Sequence, residues 1–358
     1  MALLLRPRPL HDSYGLSRVG SASSHPGHFR PNAASIVLRQ SLVQSGVEHL
    51  EGRHLFSASP LPRPDHVVVL IEEDHSYSQI LLPPIPSPAW AVDVPPLLAM
   101  APNISTFAQS SASFTHAFSV GNSNAIDYQA MFSGLIPKRN DPQPYTAPNI
   151  ASELEAAGMT FGGYAEGLPH VGYRGDGPGD YTIAHNPWVA FSNVPAADNM
   201  PFSRFPHKYS QLPTVSYVVP NNSDNMHSGQ VQDADLWFHD NILPYAHWAM
   251  SHNSLLIVTW DESHQSNDQI PTIFYGPMVK AGLYGEKITQ PNVLRTIEDI
   301  YGLAPTGRSA GVSPISDIWK TSVGRRRPTA HATAHGSNAV VVASHHRDPR
   351  VFSNTPIR

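Results

Sequence analysis

Between about residues 64 and 320, short runs of uninterrupted apolar residues alternate with stretches of helical period. His66–Ile71, Thr160–Tyr164, Thr214–Val219, Leu255–Trp260 and Thr272–Tyr275 are rich in β-branched and aromatic residues and read as strands. Pro220 closes the third, and Gly276 with Pro277 closes the fifth. Their apolar character is continuous instead of alternating, which is the pattern of strands covered on both faces. Helices fit between them. Residues 151–157 stop at Gly158, and 233–251 form a long periodic stretch kinked at Pro244. Residues 292–301 start at an Asn292 cap, place Leu294, Ile297 and Tyr301 on one face, and stop at Gly302. Strands alternating with helices predict an α/β fold, a mostly parallel sheet between two helical layers.

The two ends carry neither period. Residues 1–63 are expected to be a loosely ordered segment, 64–324 the folded domain, and 325–358 a basic, His-containing disordered tail in which residues 339–343 are a short strand candidate. Residues 83–96 hold six prolines and read as a rigid insertion after the first strand. Charge follows the same division. Seven Arg face three acids in 1–63, and six face one in 325–358, leaving ten bases against 24 acids between them. An acidic centre repels phosphate backbones, so no nucleic-acid partner is expected, but it suits carboxylates neutralised by divalent cations. The chain has no Cys, which excludes disulfides, thiolate metal sites and a Cys nucleophile. The apolar runs are strand-sized, so no transmembrane segment is predicted. Leu3–Leu5 gives way at once to Arg6-Pro7-Arg8-Pro9, too short for a secretory signal.

The chemistry is expected at the carboxyl ends of the strands. The first strand runs into Glu72, Glu73 and Asp74, and the fourth into Asp261 and Glu262. Acid pairs delivered to one sheet edge repel unless a cation joins them. Oxygen ligands favour Mg, Ca or Mn, and a participating His admits Zn. The third strand opens into a polar loop containing His227, either a ligand, a phosphate contact or a surface residue. The turn at 121–124 enters a helix from Ala125. Ser123 there reads first as an N-cap, and the same position suits an attacking hydroxyl beside a bound phosphate.

Several segments, in order, resemble the bacterial phosphoesterase family of acid phosphatases and phosphatidylcholine-type phospholipases C. They are HVVVLIEEDHSYSQI from His66, ASFTHAFSV from Ala112, MFSG from Met131, YAEGLP from Tyr164 and HNPWVAFSNV from His185. QLPTVSYVVP from Gln211, SLLIVTWDE from Ser254, QIPTIFYGPMVK from Gln269, LRTIEDIYGL from Leu294 and PISDIW from Pro314 complete the set. The resemblance covers about 64–320 and is closest to the acid-phosphatase-like branch. It implies a three-layer α/β/α fold like that of alkaline phosphatase and metal-dependent hydrolysis of a phosphorylated small molecule. The implied ligands of a divalent metal ion are Glu73, Asp74, Asp261 and Glu262. The implied nucleophile is a hydroxyl on the loop entering the helix, and the implied substrate contacts are Asn124, His185 and His227. Asp74 replaces the family's Asn, and Gln290 stands where the family has His. The family's HPS-x-PNY becomes VGNSNAIDY over 120–128, so ungapped alignment sets Asn124 at the nucleophile and a one-residue slip recruits Ser123. Of its DMHDG loop only Met226, His227 and Gly229 remain, and Ser263 and His264 follow TWDE in place of acids. The leading reading is a phosphomonoesterase. The alternatives are a non-catalytic relative that binds metal or a phosphorylated ligand, and a phospholipase C or other phosphodiesterase.

Overall fold

A computed structural model describes residues 61–81 and 100–320, except 122, 139 and 266. The two ends, the proline-rich 83–96 and the strand candidate at 339–343 lie outside the described residues.

The described residues form ten strands: β1 (His66–Glu72), β2 (Ala112–Phe114), β3 (Ala117–Phe118), β4 (Phe161–Ala165), β5 (Asn199–Pro201), β6 (Val215–Val219), β7 (Ser254–Trp260), β8 (Thr272–Tyr275), β9 (Gly282–Tyr284) and β10 (Ile288–Thr289). Eight of them form one sheet in the order β5-β4-β6-β1-β7-β8-β2-β9, while β10 and β3 pair separately. Only β8 runs against the others, antiparallel to both β7 and β2. The five predicted strands are all present, and four are the contiguous centre β4-β6-β1-β7. Their uninterrupted apolar runs are explained by position: every residue of β4, β6 and β7 is buried.

Among the described residues seven helices accompany them: α1 (Tyr77–Ile80), α2 (Pro102–Gln109), α3 (Asn124–Phe132), α4 (Ile150–Ala156), α5 (Val231–Asn241), α6 (Leu243–Ala249) and α7 (Gln290–Tyr301). The faces are set by register. Val67 and Val69 of β1 lie opposite Val215 and Tyr217 of β6. Tyr217 donates to the Met131 carbonyl of α3 and stands edge-on to Phe132, so this face is covered by α3. On the other face Tyr164 packs on Phe205, which leads through Tyr209 to Tyr245 and Trp248 of α6. Phe107 of α2 meets Phe238 of α5 on that side. The sheet thus has helices on both faces, as predicted.

Two helix boundaries differ from expectation. The 233–251 stretch is two helices: α5 ends at Asn241, and α6 restarts with Pro244 in its first turn, where its missing N–H costs nothing. Helix α7 begins at Gln290 with Thr289 as its N-cap. Asn292 is its third residue and closes a capping box by accepting from the Thr289 N–H and hydroxyl. At the far end Gly302 adopts φ 69°, the left-handed stop expected there.

Candidate active site

The alternation of side chains along paired strands decides which acids meet. Glu72 of β1 lies opposite Trp260 of β7, so Glu73 follows opposite Asp261, on the face that carries α3. The Asp261 N–H donates to the Glu72 carbonyl, extending the ladder one step past the strand. Asp74 then turns into the left-handed region at φ 61° and aims its own N–H at Asp261 Oδ1, 3.2 Å away. One ligand oxygen from each of Glu73, Asp74 and Asp261 falls within 4.8 Å of the others. Glu73 and Asp261 are fully buried, and Asp74 and Glu262 are each 6% exposed. The structure therefore brings the predicted acids together at the middle of the sheet's carboxyl edge.

Three histidines ring them. The loop after β6 is tied to the loop after β1 by the Glu73 N–H, which donates to the Asn225 carbonyl. That loop sets His227 Nδ1 at 2.7 Å from Asp74 Oδ2 and 3.6 Å from Glu73 Oε2. His185, on a short helical turn at Ile183–His185, places Nε2 3.4 Å from Glu73 Oε1. His264 Nε2 stands 2.9 Å from Asp74 Oδ1. In the sequence His264 stands out only as a departure from the family pattern. Its place two residues after Glu262 was the available signal.

Helix α3 forms the remaining wall. Tyr128 donates to Glu73 Oε1 and stacks on the His185 ring. Nothing in the pattern singles Tyr128 out from a core tyrosine. Asn124 Nδ2 donates to His185 Nε2 at 2.6 Å, which draws the first residue of α3 into the cluster. Ser123 occupies the N-cap position, but its hydroxyl makes no capping bond. The entry loop is gathered by Asp127, whose carboxylate accepts from the N–H groups of Val120, Gly121 and Ser123 at 3.0, 2.9 and 3.3 Å. Gln290 donates to the Asp261 carbonyl at 2.6 Å, and its own Oε1 is buried with no partner among the described residues.

Electrostatics follow from burial. Desolvation, then neighbouring acids, pushes Asp261 well above the usual carboxylate range, and desolvation does the same to Glu73 against the Tyr128 hydrogen bond. Burial, with Asp127 and Asp74 beside it, takes Glu262 to about 7. Burial and the neighbouring His227 lower His185 to about 3, so its ring is neutral near pH 7. Glu73 Oε2 is buried with no hydrogen-bond partner among the described residues. Converging carboxylates with an unsatisfied buried oxygen demand either protons or a cation, and this oxygen-rich donor set with imidazoles fits a divalent metal.

The sequence aligns with a phosphatidylinositol-3-phosphatase of Mycobacterium tuberculosis at 41% identity, over 81% of this chain and 94% of that protein. It aligns at 24% with a phosphate-repressible acid phosphatase of Penicillium chrysogenum, over 59% of this chain and 57% of that protein. In three dimensions it resembles an alkaline phosphatase superfamily protein from Vibrio parahaemolyticus with TM-score 0.50, covering 72% of each chain at 12% identity. The lipoteichoic acid synthase LtaP of Listeria monocytogenes gives the same TM-score at 9% identity, over 69% of this chain and 73% of that one. At such identities the likeness is one of fold, and it matches the architecture described above. Among the described residues no helix is long and apolar enough to cross a membrane. The Phosphoesterase family matches residues 100–304, more than half of the chain, and the chain belongs to that family, as a hydrolase of phosphate esters.

Proposed function

We propose that the cleft between the ends of β1, β6 and β7 and the start of α3 hydrolyses phosphate monoesters. The observation that carries this reading is the convergence of Glu73, Asp74 and Asp261 oxygens beside a helix N-terminus. Glu73, Asp74, Asp261 and Glu262 would hold a divalent ion, which polarises a phosphoryl oxygen and lowers the pKa of a nearby hydroxyl. The positive end of α3 and the Asn124 amide would bind phosphoryl oxygens. Asp127 fixes the loop that presents Ser123. The Ser123 oxygen attacks phosphorus, the ester P–O bond breaks, and the alcohol departs carrying the hydroxyl's proton. Water then attacks the phosphoserine, its P–O bond to Ser123 breaks, and inorganic phosphate leaves. The Mycobacterium tuberculosis relative supports an inositol-lipid phosphomonoester as one substrate.

The test is phosphate release from an aryl phosphate monoester by protein loaded with Mn2+, with and without chelator. The monoester is compared with the matching diester. Metal-dependent release from the monoester, lowered roughly 10³-fold or more by Ser123→Ala, is expected. Folded, metal-loaded protein that releases no phosphate at any pH overturns the reading in favour of a non-catalytic relative. Faster turnover of the diester overturns it in favour of a phosphodiesterase.

A further inference from the structure

The loops around the cleft are poor in positive charge. Strand β8 runs against both β7 and β2, and β9 runs with β2, so β2 and β9 end at the same sheet edge as β1 and β7. The loops at that edge are 73–81, 115–124, 166–198, 220–230, 261–271 and 285–290, and among their described residues the Lys and Arg side chains are Arg174 and Lys287. The Arg174 guanidinium donates to the Val189 and Phe191 carbonyls. Lys287 is exposed, and its ammonium lies over the Phe118 ring, 5.1 Å from the centroid. It forms no ion pair among the described residues, since Glu286 beside it is hydrogen-bonded to Asp317. Register explains the pair. Ile288 and Thr289 lie opposite Ala117 and Phe118, so Lys287, Thr289, His116 and Phe118 share the outer face, while Ala117 and Ile288 are buried. Both strands run into the site. Strand β3 leads through Ser119 to the loop that carries Ser123, and β10 leads into Gln290, whose amide reaches the Asp261 carbonyl. From Lys287 to Gln290 is at most about 10 Å of extended chain. Lys287 also walls a groove of about 450 Å³ with Asn292, Val312 and Pro314, so space for a ligand adjoins it.

We propose that Lys287, held on Phe118, is a subsite for a second anionic group, next to the phosphate that is cleaved. The proposal rests on the phosphomonoesterase reading and narrows its substrates to monoesters that carry, or lie beside, a further anion. Charge supplies the reason. The acid-rich cleft repels a second anion, and an unpaired cation on its rim turns that repulsion into selection. The ring fixes the ammonium by cation–π attraction and leaves its N–H donors for a ligand. A Lys point charge imposes no bidentate geometry, so a phosphate monoester, a diester or a carboxylate suits it equally. The second anion has two sources to distinguish, another group on the same small molecule and the headgroup of an adjacent lipid.

The experiment measures phosphate release by the Mn2+-loaded full chain in two arms. The soluble arm compares alkanediol monophosphates with the matching α,ω-bisphosphates of increasing length, counted per phosphate. The vesicle arm compares phosphatidic acid diluted in phosphatidylcholine with the same vesicles containing phosphatidylglycerol. Lys287→Gln and Lys287→Glu are measured beside the wild type. The side chain is exposed, so the fold is expected to survive, and circular dichroism checks this. The wild type should prefer the second anion by roughly two- to fivefold in kcat/KM, carried by KM and fading with salt. Lys287→Gln should abolish that preference and Lys287→Glu reverse it. A preference confined to the soluble bisphosphates assigns the second anion to the same molecule, and one confined to vesicles assigns it to a neighbouring lipid. Preference in neither arm, or one that both variants keep, overturns the subsite and leaves the phosphomonoesterase reading standing. No phosphate released from any of these substrates overturns both.

Discussion

Glu72 and Glu73 are consecutive, both fully buried, and point to opposite faces of the same strand. What surrounds them differs. On the Glu73 face, carboxylate oxygens meet three imidazoles within 3.6 Å. On the Glu72 face the neighbouring charges are Asp224, Glu166 and Asp235, all acids. Those acids are occupied by donors. Glu166 accepts from the Asn221 N–H and Trp237 Nε1, Asp224 from Asn221 Nδ2, and Asp235 from the Asn103 and Ile104 N–H groups. Both Glu72 oxygens lack a partner among the described residues, and burial pushes this carboxyl well above its ordinary range. One face therefore gathers carboxylates and imidazoles around a buried, unpaired Glu73 oxygen, and the other sets acids held by N–H donors beside a carboxyl that favours its proton. Burial alone makes a carboxylate costly, and its neighbours decide whether a cation or a proton relieves the cost.

Substituting the two residues tests that difference most strongly. Glu73→Gln keeps the shape and removes a carboxylate charge, so under the proposed function it should lose Mn2+ affinity and lower turnover by roughly 10²–10³-fold. A variant with wild-type turnover and wild-type metal content would remove Glu73 from the site.

The metal-free protein should show the same contrast through pH. In the folded state Glu73 and Asp261 sit above the ordinary carboxylate range, and Glu262 is taken to about 7 from 4.5. The folded chain therefore holds protons that the unfolded chain releases. Their contribution to stability is complete below about 4.5 and is lost as pH rises through about 7. Chelated protein should melt at progressively lower temperature across that interval. Adding Mn2+ should reverse the trend, because the ion replaces the protons that stabilise the cluster. A melting temperature that is flat with pH and indifferent to Mn2+ would mean that the acids are compensated in another way.

Much of this was legible from the chain, and the limits are physical. Central strands are buried on both faces, so VVVLI and LLIVTW announce themselves, and the acids that follow them sit where strands end. Strands of two or three residues, such as β3, β5 and β10, are too short to show a period. The cap of α7 was readable in principle. Pro291 belongs in a first turn, which puts the start before Asn292, at Thr289. His185 and Tyr128 could not be assigned from spacing, since 112 residues separate Glu73 from His185 in sequence and only the fold brings them together. Neither could the division between Glu72 and Glu73, which depends on the register of β1 against β7.

A smaller effect is expected from Glu72 itself. Its oxygens make no hydrogen bond among the described residues, so an apolar side chain of similar shape loses nothing there. Glu72→Met should range from neutral to about 2 kcal/mol more stable in denaturant unfolding. It should retain wild-type turnover and Mn2+ stoichiometry. A loss of bound metal would show that the two faces are one electrostatic unit.

The smallest effect belongs to Asp74, where the backbone role and the proposed ligand role can be separated. Its φ of 61° lies in the left-handed region, which Asp and Asn tolerate and β-branched residues do not. That turn is what directs its N–H to Asp261. Asp74→Asn keeps the turn, the N–H and one ligand oxygen while dropping a charge, so turnover should stay within about tenfold, or about 1.4 kcal/mol. Asp74→Ala keeps the N–H but has no oxygen to offer His227 or His264, and it should lose more activity than stability. Asp74→Val must also hold a β-branched residue at positive φ, adding about 1–2 kcal/mol of strain that unfolding would detect. The order Asn, Ala, Val in turnover, with only Val clearly destabilised, would show the left-handed turn as scaffold and the carboxylate as ligand. Equal losses in all three would mean that the charge itself, not the oxygen or the turn, is what the site requires.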